Sequence, residues 1–320
     1  MCKKIIILLA VSLLFSCSNH PPSKFAIVYG ISDYGYPTID LQYSSNDGKS
    51  VAALLESYGY SVILRVDTAA TKANLIKDFE RVSRAIGGND LFVFYFSGHG
   101  IDSQTMSDLG ETGYSEDYFS ILLRQRFIYR NLAEYVTENS LSKSELTNLF
   151  KSLPTGVKAL ILDACYSGLA VNKNSIMDLT PNDYDGKPLQ IPRTSDILKQ
   201  AMHVYANTVL NNYKPSNGYI TLSSSGGREV AWDGFFGYSV FTYFFLLAAE
   251  QGDINKDGVI TMLEVHAFVT AALQKYWNAD GGDPDWSFLP HISGDASDII
   301  IFDRKVLLND AITNPLSPAF

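Results

Sequence analysis

Two stretches decide the fold: DLFVFYFSGHG, from Asp90 to Gly100, and VKALILDACYSG, from Val157 to Gly168. Each begins as a near-continuous apolar run of strand length, which reads as a strand buried on both faces of a parallel sheet. Each then stops abruptly in small and polar residues. In an open α/β sheet the ligand crevice lies at the carboxyl ends of the strands, so both endings belong on one rim. That brings a thiol, Cys165, and an imidazole, His99, to the same place.

Working outward from these two strands, the chain alternates short apolar runs with helix-period segments. FAIVYGI (25–31) reads as a first strand, and 46–58 as a helix with Val51, Leu54 and Leu55 inward. SVILRV (61–66) is a second strand. The spacing of Leu75, Phe79, Val82 and Ile86 predicts a helix over 71–86. A long polar insertion, 101–141, contains YFSILL (118–123), which adds a strand or hairpin. Ser142 and Glu145 form a capping box that starts a helix through Phe150. After a surface loop over 168–192 come a helix (196–210), a strand (218–223), helices at 238–250 and 263–277, and a last strand at 296–302. The order predicts one α/β domain with a mainly parallel central sheet flanked by helices.

Composition narrows the function. The chain has 320 residues, 34 acidic against 25 basic side chains and a formal charge of -9. That balance argues against a surface built to neutralise phosphates, so no nucleic-acid partner is expected. Three cysteines, at 2, 17 and 165, make neither a disulfide framework nor a four-ligand zinc site. Cys165 therefore needs its own explanation. A neighbouring base turns a thiol into a nucleophile, and histidine is suited to that role near neutral pH. Glycines flanking His99 let the backbone approach a substrate carbonyl, which makes the amides of Gly100 and Cys165 candidates for an oxyanion hole.

FYFSGHG and LILDACYSG resemble the histidine and cysteine motifs of the caspase and metacaspase family of cysteine peptidases. YITLSSSGGREVAW (219–232), GYSVFTYFFL (237–246) and the Asn46-Asp47 pair also resemble bacterial members, so the likeness runs over about 25–302. It implies a caspase-like fold and peptide-bond hydrolysis in which Cys165 attacks and His99 carries the proton to the leaving amine. It also implies a primary specificity pocket. Asp163 and Asp47 match the metacaspase pocket acids and Ser97 a neighbouring polar position. The stretch 42–47 lacks the arginine of the caspase pattern. Two carboxylates suit a basic side chain, so cleavage after Arg or Lys is expected. Arg228 is the residue that speaks for the other specificity, cleavage after Asp. Asp47 has an alternative role as a helix N-terminal acid.

Two further motifs stand apart. Residues 253–264, DINKDGVITMLE, match a twelve-residue EF-hand loop. Asp253, Asn255 and Asp257 stand at positions one, three and five, and Gly258 at the turn. Val259 offers a carbonyl, with Thr261 at position nine and Glu264 at twelve. Calcium is the expected ion. At the other end, Lys3 and Lys4 precede an apolar run too short to span a bilayer, so 1–16 reads as a signal peptide. Leu14 to Cys17 resembles a bacterial lipobox, which implies lipidation of Cys17, a tether at 17–24 and a place at the bacterial cell envelope; cleavage elsewhere would give a secreted protein. The expected layout is completed by a peptidase domain over 25–305 and a tail at 306–320. The expected partners are a protein or peptide substrate and, through Cys17, a membrane, with the chain acting as a monomer. Basic residues Lys173, Lys187 and Arg193 make self-cleavage an open expectation. A catalytically idle module that binds a partner is the competing reading.

Overall fold

The structure is a computed structural model and describes residues 22–125, 131–167, 192–210, 219–227, 229–278, 287–294 and 299–305. The leader, Cys17, most of the 168–192 loop, Arg228 and the 306–320 tail lie outside the described residues.

The chain opens with strand β1 (Lys24–Gly30), helix α1 (Ser44–Ser57), strand β2 (Tyr60–Val66), helix α2 (Lys72–Ser83) and strand β3 (Leu91–Ser97). The insertion follows as β4 (Gly100–Asp102), α3 (Ser103–Asp108), β5 (Phe119–Leu122), α4 (Leu132–Asn139) and β6 (Ser140–Ser142). Helix α5 (Lys143–Lys151) leads to β7 (Val157–Asp163), α6 (Thr194–Leu210) and β8 (Ile220–Ser223). A small hairpin, β9 (Asp233–Phe235) and β10 (Tyr238–Ser239), starts helix α7 (Val240–Gln251). The last elements are β11 (Val259–Thr261), α8 (Met262–Tyr276), β12 (His291–Ser293) and β13 (Ile300–Asp303).

Six strands form the central sheet in the order β12-β8-β7-β3-β1-β2, parallel throughout except for β12. The chain winds one way from β1 to β2 and the other way from β3 onward, so the sheet has a switch point between β1 and β3. Crevices form at that place in open sheets. The register is strict: Gly30 pairs with Ser97, and Ser97 with Asp163, so three strands end at one level.

Both faces of the sheet are covered. Val93, Tyr95, Ala159 and Ile161 face α1, α6, α7 and α8, where Val51, Leu55, Ile197, Phe241, Phe245 and Phe268 are buried. Phe92, Phe94, Phe96, Leu160 and Leu162 face α2 and α5, with Phe79 and Phe150 packed edge-on to the strand aromatics. Every residue of β3 is buried, and each large apolar side chain so removed from water contributes about 1.5–3 kcal/mol. The capping box at α5 is present, with the Ser142 side chain accepting from the Glu145 amide and the Glu145 carboxylate accepting from the Ser142 amide.

The structure differs from the sequence reading at two places. The insertion is a three-stranded antiparallel sheet, β4-β5-β6, carrying two short helices, rather than one strand or hairpin. The final apolar run does not join the central sheet, because β13 pairs antiparallel with β11. The sheet edge is instead β12, three residues too short to carry an alternating pattern.

Candidate active site

The strand ends build the site from below. Beyond β3 the chain turns through Gly98 and His99 into β4, with the Gly98 amide donating to the carbonyl of Asp163 at 3.1 Å. Beyond β7, Cys165 sits in a tight turn in which fully buried Tyr166 holds φ at 57°, a left-handed conformation that costs a side chain about 1–2 kcal/mol. The Tyr166 amide donates to the carbonyl of Glu229 at 3.0 Å, which helps fix that turn. Cys165, His99 and Gly100 all line one cavity of about 480 Å³, together with Asp40, Ser97, Asp163, Trp232 and Asp233. The residues singled out for catalysis from sequence are therefore brought together.

Nε2 of His99 lies 2.6 Å from the carbonyl oxygen of Ile39. A carbonyl can only accept, so Nε2 carries the proton and Nδ1 is the basic nitrogen of the neutral ring. The His99 amide donates to Oη of Tyr34 at 2.8 Å, and the two rings lie 4.9 Å apart. Burial lowers the pKa of His99 below the ordinary histidine value; the Ile39 bond and Asp40 oppose that shift. The Cys165 thiol donates to the carbonyl of Ala231 at 3.8 Å. Its pKa is pushed up to about 12, by burial first and then by the Asp233 and Asp163 carboxylates. The free cavity is thus lined by a neutral thiol and a neutral imidazole.

Two acids are buried next to this rim, Asp163 lining the cavity and Asp47 bonded to the lining residues Ser97 and Ser239. Asp47, in the first turn of α1, is fully buried and accepts from the Ser97 hydroxyl at 2.9 Å and the Ser239 amide at 3.1 Å. Asp163 accepts from the hydroxyls of Ser239 and, at 2.6 Å, Thr242. Close packing of Gly30 on Gly48 brings α1 in: a β-carbon on Gly30 would lie 2.3 Å from the Ser44 carbonyl. Burial raises both carboxyls above the ordinary range, and for Asp47 the charges of Asp163 and Asp233 add to it. Asp47 is therefore more than a helix-terminal acid.

Sequence reasoning missed Asp233. It accepts from the amides of Gln42 and Tyr43 at 3.2 and 3.4 Å, and its carboxyl is raised to about 6 by burial and by Asp163. Its signal in the sequence was its place next to Trp232, in the short gap between the two marked stretches 219–232 and 237–246. Among the described residues no lysine or arginine forms an ion pair with Asp47, Asp163 or Asp233.

The EF-hand-like loop sits away from the cavity, between α7 and α8. Asp253 accepts from the amides of Asp257 and Gly258, at 3.1 Å each, and Asn255 from that of Asp257 at 2.9 Å. Fully buried Glu264 accepts from the amides of Ile254, Asn255 and Thr261 and from the Thr261 hydroxyl. Lys256 and Gly258 take left-handed φ values of 63° and 88°, the sharp turn such a loop needs. The donors are all oxygen, which fits a hard divalent cation. Among the described residues no cage of three or more His, Cys, Asp or Glu side chains closes on one point, since the loop's own amides bridge its carboxylates.

The chain resembles known proteins in sequence and in fold. Metacaspase-1 of Scheffersomyces stipitis is 27% identical over 169 residues, covering 49% of this chain and 39% of that protein. Metacaspase-1 of Meyerozyma guilliermondii is 27% identical over 171 residues, covering 50% and 39%. The match thus spans about two fifths of those relatives. A crystal structure of a Geobacter sulfurreducens protein shares the fold, with a TM-score of 0.52 and 16% identity over 86% of this chain and 94% of that one. A family model for the caspase domain matches residues 23–282, most of the chain and both strand-end motifs. With that match laid over a switch-point crevice holding Cys165 and His99, the chain belongs to the caspase-domain family of cysteine peptidases.

Proposed function

We propose that this protein is a cysteine endopeptidase that hydrolyses peptide bonds after Arg or Lys, with Cys165 as nucleophile and His99 as proton carrier. The observation that carries the specificity is the pair of carboxylates Asp163 and Asp233, which line one cavity with the thiol and have no ion-pair partner among the described residues, with fully buried Asp47 joined to Asp163 through Ser239. Carboxylates in a low-dielectric pocket bind a guanidinium or ammonium through charge-assisted bonds and bind a carboxylate poorly.

On this reading the Cys165 sulfur attacks the scissile carbonyl carbon while its proton passes to Nδ1 of His99. The oxyanion is met by the backbone amides of Gly100 and Cys165. His99 then protonates the leaving amine, the C–N bond breaks, and water hydrolyses the thioester to free the acid and the thiol. The Ile39 carbonyl holds the imidazole in the tautomer this sequence of transfers requires.

The loop at 253–264 would hold calcium through Asp253, Asn255, Asp257, the Val259 carbonyl, Thr261 and Glu264. The ion would supply charge neutralisation and fix α7 against α8. Residues 1–16 would direct the chain to the envelope and Cys17 would anchor it there.

The test is kinetic. Paired peptide substrates differing only in Arg or Asp before the scissile bond should differ in kcat/KM by more than a hundredfold in favour of Arg; preference for Asp would overturn the pocket assignment. Cys165→Ala should abolish turnover. Absence of labelling of Cys165 by a peptide ketone ending in Arg would favour a catalytically idle binding module.

A further inference from the structure

Asp163 lies two residues before Cys165, at the end of the same strand. Asp233 lies two residues beyond Ala231, whose carbonyl receives the thiol. Both carboxylates and the sulfur line one cavity, and neither carboxylate has an ion-pair partner among the described residues. Burial is the first cause that holds the Cys165 thiol neutral, and the Asp233 and Asp163 carboxylates add to it; burial also lowers the pKa of His99, where the charge that bears on the ring is that of Asp40.

We propose that Asp163 and Asp233, lining one cavity with Cys165, act with burial to hold its sulfur as thiol in the free protein, and that a cationic side chain seated beside them favours the thiolate. The substrate's own basic residue would then switch on the nucleophile that cuts after it. This rests on the Arg or Lys pocket described above. A guanidinium beside the two carboxylates offsets their negative field at sulfur and leaves Nδ1 of the imidazole, whose Nε2 is held by the Ile39 carbonyl, free to take the proton. Proton and charge balance: the S–H bond breaks, the N–H bond forms on Nδ1 of His99, and net charge in the site rises only by the incoming cation. The arrangement also protects the thiol, since oxidants react with thiolate rather than thiol. An unoccupied site stays unreactive at neutral pH.

The experiment separates occupancy from activation. Full-length protein is treated with iodoacetamide, a small neutral reagent. The sulfur attacks the methylene carbon, iodide leaves, and the thiol proton passes to His99 or solvent. The rate is read on the peptide containing Cys165, with and without ethylguanidinium, with neutral ethylurea as control, and ethylguanidinium binding is measured separately by calorimetry. Each unit by which the thiol's pKa falls gives about tenfold more thiolate of lower intrinsic nucleophilicity, a net gain of about threefold. Ethylguanidinium should therefore accelerate alkylation by about threefold to tenfold, where a simple occupant of the cavity would slow it. Asp233→Asn should alkylate faster than wild type without any additive and respond less to ethylguanidinium. Binding with unchanged or slower alkylation would overturn this inference and leave the pocket standing. Absence of binding would overturn the pocket and this inference with it.

Discussion

A β-carbon placed on Gly100 would lie 1.9 Å from the carbonyl oxygen of Cys165. No side chain fits that gap, so the strand leaving the His99 turn and the turn bearing Cys165 are in backbone contact. Gly100→Ala must push the two apart. We expect kcat/KM to fall by at least a hundredfold while the circular dichroism spectrum stays native, because shifts near 1 Å at reacting groups cost about that much. Activity within threefold of wild type would mean that this contact does not set the geometry of the site.

Asp233→Asn should divide function from stability. Loss of one pocket carboxylate should raise KM for Arg substrates by tenfold or more. A carboxyl with its pKa at about 6 in the folded protein binds its proton more tightly there than when unfolded. Its ionisation therefore opposes folding as pH rises from the unfolded value through 6, by about 3 kcal/mol at full ionisation. The asparagine variant should melt about 5 °C higher at pH 7.5 and show a smaller gain at pH 4. Equal melting temperatures at pH 7.5 would contradict the burial of that charge.

The same carboxyls predict an acid limb. As pH falls through about 6, Asp233 takes up a proton and the attraction for a cation weakens. KM for an Arg substrate should rise on that side, and binding of ethylguanidinium near pH 6 should release protons, visible as a dependence of calorimetric enthalpy on buffer. Binding without proton release would show that the wall is already fully ionised.

Tyr34 positions His99 without touching substrate. Its hydroxyl accepts the His99 amide, and Tyr34 is itself fully buried. Tyr34→Phe leaves that amide unsatisfied, at a cost of about 1–3 kcal/mol. We expect kcat to drop about tenfold with KM unchanged, and the pH profile of kcat to shift. A change in KM alone would point to the cavity wall instead.

At the EF-hand-like loop, an Arg304 nitrogen stands 3.9 Å from Asp253, the first oxygen of the motif. Arg304→Ala should tighten calcium binding several-fold, and calcium should raise the melting temperature of the wild type. If calorimetry detects no calcium binding and Glu264→Gln leaves the calcium-loaded melting temperature unchanged, the loop is a plain turn.

The core strands were legible because β1, β3 and β7 are apolar enough to announce burial on both faces, and Cys165 and His99 because each follows such a strand. The capping box at Ser142 and Glu145 was legible for the same reason: its chemistry is local. Asp233 was not, since its meaning comes from Gln42 and Tyr43, nearly two hundred positions away. The edge strand β12 was hidden by its shortness, and β13 misled because an apolar run says only that it is buried. Its partner, β11, lies in the loop that carries the metal motif. The insertion reads as polar in sequence, yet Phe119, Ile121 and Leu141 are buried beneath it.

Ser97 and Asp163 stand opposite each other as the last residues of adjacent parallel strands. A slip of one residue in either would turn its pocket group to the opposite face and put Phe96 or Leu162 in its place, dragging every apolar side chain of that strand out of its layer. The hydrophobic interior therefore proofreads the recognition chemistry: a chain that packs its strands correctly has already aimed its acids. Specificity can be rewritten at the strand tips by substitution, but it cannot be lost by misalignment without losing the protein.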